Sequence, residues 1–236
     1  MSTTHPGEAH DPKLAGRLNQ LRAAVLGAND GIVSEAGLVI GVAGATTARD
    51  PLLTAGLAGL AAGAVSMALG EYVSVSSQRD AERDQLAKEK RELAEDPVGE
   101  LAELAGLYRA KGLSANTARL VAQELTDRDA LAAHAEAELH LDPTDLADPV
   151  RAAVASAVSF TLGAAIPLLA ITLPPTQLRV RVAVPVVLAA LALAGSIGAH
   201  VGGGRTGRAV LRVLVGGGVG LAFTYLVGHL AGAATS

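Results

Sequence analysis

The 236-residue chain contains no cysteine and no tryptophan, and only 2% of it is aromatic. Without cysteine there is no disulfide framework, no thiolate metal site and no cysteine nucleophile. A water-soluble core is ordinarily built in part on Phe, Tyr and Trp. Here half of the residues are hydrophobic, 27 are glycine, and Ala, Val and Leu supply most of the rest. That bias, together with long uncharged runs, describes membrane helices packed closely through small residues. The missing tryptophan counts against it only weakly, as a thin interfacial aromatic belt. No basic stripe with exposed aromatics is present, so a nucleic-acid partner is not expected. There is no glycine-rich phosphate loop, Ser/His/Asp set or zinc-protease helix motif, so neither an ATP-driven pump, a hydrolase nor any other enzyme is expected. The first 20 residues, MSTTHPGEAHDPKLAGRLNQ, lack a short apolar region with a cleavage site and read as a polar surface segment, not a signal peptide.

What is present divides the chain. Residues 78–150 hold 17 of the 23 acids and 9 of the 19 bases, a net of −8, and the remainder sums to +4. Five apolar runs, at about 21–48, 51–77, 152–172, 182–201 and 213–234, each approach the roughly 20 residues needed to cross about 30 Å of hydrocarbon. The expected fold is therefore all-α: a five-helix transmembrane bundle with a small helical domain inserted between spans two and three. Its parts are a polar segment 1–20, spans one and two in 21–77, the acidic insert 78–150, and spans three to five in 151–236. Five spans put the N-terminus and the insert on one side and the C-terminus on the other. Lys13, Arg17, Arg22, Arg79, Arg83, Arg151, Arg205, Arg208 and Arg212 flank the spans on the first side, against Arg49, Arg179 and Arg181 on the second. The positive-inside rule makes the first side cytoplasmic.

Helical signals fill the insert. Residues 76–94 continue span two, Pro97 opens a helix that Gly112 stops, Ser114 caps the next to about Leu125, and Thr126 or Asp127 opens a last one reaching His140. Small residues recur four apart at Gly27/Gly31, Gly37/Gly41, Gly59/Gly63 and Gly216/Gly220, a spacing that lets backbones approach closely.

Two constellations carry chemistry. Asp30, Glu35 and Glu71 are carboxylates inside apolar runs, where an ionised group is costly unless paired or protonated. By helical rise Asp30 lies about 12 Å in from Arg22, and Met67 about 15 Å in from Ser77 on the same side. Antiparallel spans one and two thus bring Asp30, Met67 and Glu71 to similar depth. A carboxylate beside a thioether suits a transition-metal cation, although Met67 alone is equally a core filler. In EKRELAEDPVGELAE, Glu89/Glu92 and Glu100/Glu103 form two E-x-x-E pairs across a Pro-Val-Gly hinge, and His134 and Glu138 stand four apart in HAEAE. Each pair shares a helix face. Four converging carboxylates repel one another unless a cation sits between them, and oxygen donors with one imidazole suit Fe²⁺ or Mn²⁺. An ordinary solvated acidic face is the alternative.

GANDGIVSEAGLVIGVAGA followed by AGAVSMALGEYVSVSSQRDAE resembles the vacuolar iron transporter family, over about 21–230. The resemblance implies five transmembrane helices per subunit, a homodimer, and proton-coupled antiport of Fe²⁺ and related divalent metals out of the cytosol. It implies translocation-path roles for Asp30 and Met67, and metal-binding roles for Glu89, Glu92, Glu100, Glu103 and Glu138 in a cytosolic domain. His134 stands where that domain would be expected to carry a methionine. Gly59 stands where some members carry a glutamate in span two, and Glu71 and Glu35 are extra carboxylates available to replace it. A membrane-anchored metal buffer and a passive cation channel are the competing functions. Alanine, glycine and arginine abound while lysines are few, which suits a GC-rich bacterium and hence its plasma membrane.

Overall fold

The structure, a computed structural model, describes residues 12–235, with side chains from 24 to 234. Among the described residues all regular structure is helical. Seven α-helices follow one another: α1 Pro12–Ala45, α2 Arg49–Glu95, α3 Pro97–Ala110, α4 Ala115–His134, α5 Pro149–Thr172, α6 Arg179–Val201 and α7 Thr206–Thr235. Residues 1–11 of the expected polar segment lie outside the described residues. The remainder of that segment is already part of α1, which begins at Pro12 rather than near residue 21. Five helices, α1, α2, α5, α6 and α7, are long and apolar enough to cross a membrane.

The chain forms two compact units, one of residues 1–71 with 152–236 and the other Tyr72–Arg151. The second unit thus starts six residues earlier than the composition boundary at 78. Helix α2 belongs to both. Its 47 residues make it about 70 Å long, more than twice the thickness of a bilayer's hydrocarbon core.

In the first unit α1 supplies the centre. Ile32, Ala36, Val39, Ile40 and Ala43 pack with Leu52 of α2, Leu168 and Ile171 of α5, Ala183, Val187 and Leu191 of α6, and Leu221 of α7. Lipid tails are as apolar as leucine, so close backbone packing must do what burial does in water. A side chain at Gly31 would collide with the Phe160 carbonyl of α5, and one at Gly163 with that of Ala28. Gly41 and Gly228 meet backbone to backbone in the same way between α1 and α7. The expected Gly216/Gly220 pair does not act so: a Cβ at either would meet nothing within 4 Å, and Gly228 and Gly232 make the contacts of α7 with α1 instead. Large apolar side chains on α2 and α7, among them Leu57, Val65, Leu69, Leu211, Val219 and Phe223, are exposed, as a hydrocarbon-facing surface requires. Arg179 is buried and donates a hydrogen bond to the Thr47 carbonyl just past α1, so it is no free flanking charge.

The second unit follows its local signals closely. Asp96 accepts from Gly99 N at 2.9 Å with Pro97 at the first helical position, and α3 ends before Gly112, whose φ of +100° glycine alone adopts easily. Ser114 caps α4, accepting from Thr117 N at 3.3 Å. The break expected at Thr126 or Asp127 falls instead at Asp129 (φ −165°, ψ 97°). Its carboxylate accepts from Ala132 N at 3.0 Å and so recaps the chain inside α4. After His134 one π-helical turn, Ala135–Leu139, leads to His140 in the left-handed region at φ 56°. The core is small: Leu104, Ala122, Ala133 and Ala137, with Leu101, Leu107, Tyr108 and Leu125 against it.

Candidate cation sites

Three helical segments of the second unit place acids and an imidazole together. Glu89 projects from the charged half of α2, Glu100 from the first turn of α3, and His134 from the last turn of α4. Their donor atoms all lie within 4.8 Å of one another. The His134 Nδ1 is 2.9 Å from Glu89 Oε1, 3.6 Å from Glu100 Oε2 and 4.0 Å from Glu138 Oε2. His134 is completely buried and Glu89 is 3% exposed. The 2.9 Å approach is nonetheless not a hydrogen bond, because the ring N–H is not aimed at the oxygen. Both Nδ1 and Glu89 Oε1, and Nε2 as well, lack a hydrogen-bond partner among the described residues. Orphaned buried polar atoms are costly, and rare unless an ion or water satisfies them. One ion with ligands at about 2.0–2.2 Å brings neighbouring donors to roughly 3 Å from each other. The residues present therefore fit a divalent cation.

The electrostatics agree. Burial raises the pKa of Glu89 above the ordinary carboxylate value; His134 offsets part of this, and Glu138, Glu100 and Glu92 raise it further. Glu100 is raised by burial and then by Glu103, again with His134 opposing and Glu92 and Glu138 adding. All six residues expected from the sequence thus share one field, but they do not all share the donor cluster. Of each E-x-x-E pair only the first member enters it. Glu92 is paired with Lys88 at 2.9 Å, Glu103 is exposed, and Glu138 stands at the rim.

In the first unit a cavity of about 240 Å³ is lined by Asp30, Ser34, Glu35 and Leu38 of α1, Gly59, Gly63, Ser66 and Met67 of α2, and Phe160 of α5. The structure thus brings Asp30, Glu35 and Met67 together. Glu71, one turn beyond Met67, does not line the cavity. Asp30 is exposed, whereas Glu35 is 1% exposed with Oε1 unpartnered among the described residues. A Cβ at Gly56 would stand 2.9 Å from Glu35 Oε1, and one at Gly59 3.0 Å from Oε2. The two glycines of α2 leave room for this carboxylate and for Leu168 and Leu38, whose side chains stand closer still. Of the two extra carboxylates, Glu35 is the one lodged against Gly59. Ser34, Ser66 and Phe160 were not anticipated. The serines sit beside recognised positions, Ser34 one turn from Asp30 and Ser66 next to Met67, but nothing local marks Phe160.

Five apolar helices and a carboxylate–imidazole cluster define the class: a polytopic α-helical membrane protein whose second unit carries side chains that could hold a cation. The family model described as the VIT family matches residues 21–229, and the chain belongs to that family. A vacuolar iron transporter of Acanthamoeba castellanii is 42% identical over 225 residues, 95% of this chain and 83% of the relative. Vacuolar iron transporter homologs 1 and 5 of Oryza sativa subsp. japonica are 38% and 36% identical, covering 96% and 90% of this chain and 80% of each relative. These relatives are named as transporters, and the family is one of transporters, not enzymes.

Proposed function

We propose that the chain exports divalent metal, Fe²⁺ with Mn²⁺ as the alternative cargo, from the cytosol in exchange for protons. The observation that carries this is the pair of buried, unpartnered atoms, His134 Nδ1 and Glu89 Oε1, held 2.9 Å apart among further carboxylates. The second unit, facing the cytoplasm, takes up the ion through Glu89, Glu100 and His134 with Glu138 at the rim. Glu92 and Glu103 add negative potential that draws cations in. Asp30, Glu35 and Met67 line the transmembrane path, and Glu71 is left out of it. Protons moving inward compete with metal for Asp30 and Glu35, which links release of one to uptake of the other. The working form is a homodimer in a bacterial plasma membrane, with the C-terminus outside.

Flux in proteoliposomes tests this. Loaded metal should cross only along an opposing pH gradient, and Asp30→Ala should stop it. Metal binding without flux would establish the membrane-anchored buffer, and flux indifferent to the gradient would establish a passive channel. The cavity carboxylates favour transport over the anchored buffer, because an anchor has no use for a buried acid.

A further inference from the structure

The cluster in the second unit poses a selectivity problem. Glutamate oxygens alone suit Mg²⁺, Ca²⁺ and Mn²⁺ as well as Fe²⁺. Attraction between a divalent cation and Glu89, Glu100 and Glu138 is the same for all of them at equal distance. What distinguishes the cluster from an ordinary acidic patch is the imidazole at its centre. His134 is 0% exposed, and neither ring nitrogen has a hydrogen-bond partner among the described residues. Its backbone is held in place: Ala133 and Ala137 belong to the unit's small core and Ala135 is fully buried.

Resting on the metal-binding reading above, we propose that His134 is the specificity-determining residue of this site. Its imidazole admits nitrogen-accepting transition ions such as Fe²⁺, Co²⁺ and Zn²⁺ and discriminates against Mg²⁺, Ca²⁺ and, less strongly, Mn²⁺. An ion that coordinates the ring satisfies a buried nitrogen that is otherwise an orphan. An ion that binds only the carboxylates leaves the cost of that orphan in place, so the penalty falls selectively on the wrong ions. Mg²⁺ suffers twice, since it dehydrates reluctantly and prefers to keep several waters. Here two of the donors, on Glu89 and His134, are reachable only after water is shed. The chain has no cysteine, so no thiolate competes with the imidazole for this role. This assignment separates the two cargoes that oxygen ligands cannot: it favours Fe²⁺ over Mn²⁺.

The test is equilibrium binding of Co²⁺, Mn²⁺ and Mg²⁺ to the full chain in detergent. An Asp30→Ala, Glu35→Gln and Met67→Leu background removes the donors of the membrane cavity. The parent should bind Co²⁺ at least about tenfold more tightly than Mn²⁺, and Mg²⁺ more weakly still. Adding His134→Gln should weaken Co²⁺ by about tenfold or more and Mn²⁺ by less than about threefold, so that the ratio collapses. Parallel loss of both ions, or an unchanged ratio, overturns the role of His134 while leaving metal binding intact. Absence of any binding to the parent overturns the metal reading itself. Should the glutamine variant fail to fold, X-ray absorption of the Co²⁺-loaded parent decides. One imidazole in the coordination sphere supports the assignment, and an all-oxygen sphere overturns it.

Discussion

The cavity among the spans and the cluster in the second unit both gather carboxylates, but by opposite means. In the cavity the acid is accommodated by subtraction. Glu35 lies buried against Gly56 and Gly59, whose missing side chains leave room for its two oxygens and for Leu168 and Leu38. In the second unit the acids are accommodated by convergence. Glu89, Glu100 and His134 come from three helical segments; burial, and then the neighbouring carboxylates, raise Glu89 and Glu100, while His134 opposes the rise. A site made by subtraction is sensitive to volume, because the carboxylate has nowhere else to go. A site made by convergence is sensitive to charge, because only a cation or protons relieve the repulsion. The two sites should therefore fail in different ways, and each prediction below sets one against the other.

The largest difference is expected from Asp30→Ala, which should reduce metal flux by about 100-fold or more while leaving metal affinity of the second unit unchanged. Flux in liposomes and binding in detergent report the two halves separately. Next comes Glu89→Gln, which should lower the cluster's affinity by about 10- to 100-fold, the range seen when metal-site partners are lost. Glu103→Gln, removing an exposed acid outside the donor cluster, should change it by less than about threefold. Equal effects would mean that the cluster is a diffuse acidic surface, not a built site. Volume is probed by Gly59→Val, which should cut flux about tenfold by crowding Leu38 and Glu35 yet leave cluster affinity untouched. Gly106→Ala, in the open on α3, meets no atom within 4 Å and should stabilise the second unit by about 0.5–1 kcal/mol in thermal melts.

A pH series sharpens the same contrast. Glu89 and Glu100 titrate above the ordinary carboxylate range in the folded protein, so folding takes up protons there. Their contribution to stability is fully present below the unfolded carboxylate pKa and is lost as pH rises through the raised values. In chelator the second unit should melt lower at neutral pH than at mildly acidic pH. Saturating metal should reverse this, adding about 2.7 kcal/mol at a ligand concentration 100 times Kd. A unit this poor in large core residues has reason to depend on such a staple. A melting temperature indifferent to both pH and metal would sink the convergent site.

Much of the fold was legible because it rests on neighbours along the chain. Uncharged runs long enough to span hydrocarbon, the uninterrupted passage of α2 into charge, the Asp96–Pro97 start, the Gly112 stop and the Ser114 cap each depend on a few adjacent residues. The break in α4 was misplaced by two or three residues because Thr126, Asp127 and Asp129 are all competent to cap. Which of them does so depends on where the following turn must pack. The Gly216/Gly220 stripe has no neighbour within 4 Å among the described residues of the chain, because four-residue spacing permits close approach but does not say which helix approaches.

By itself, the sequence determined the helices, the five spans, the acidic insert and the residue types from which a cation site could be made. Those are properties of composition and local periodicity. Only the tertiary structure decided which of those residues meet. It lodged Glu35 against Gly59 and kept Glu71 from the cavity, and it chose Glu89 and Glu100 over Glu92 and Glu103 as neighbours of His134. Helical spacing assigns a side chain to a face, but the partner of that face is set by how helices distant in sequence pack. One turn along a helix is about 5.4 Å, enough to separate a ligand from a bystander.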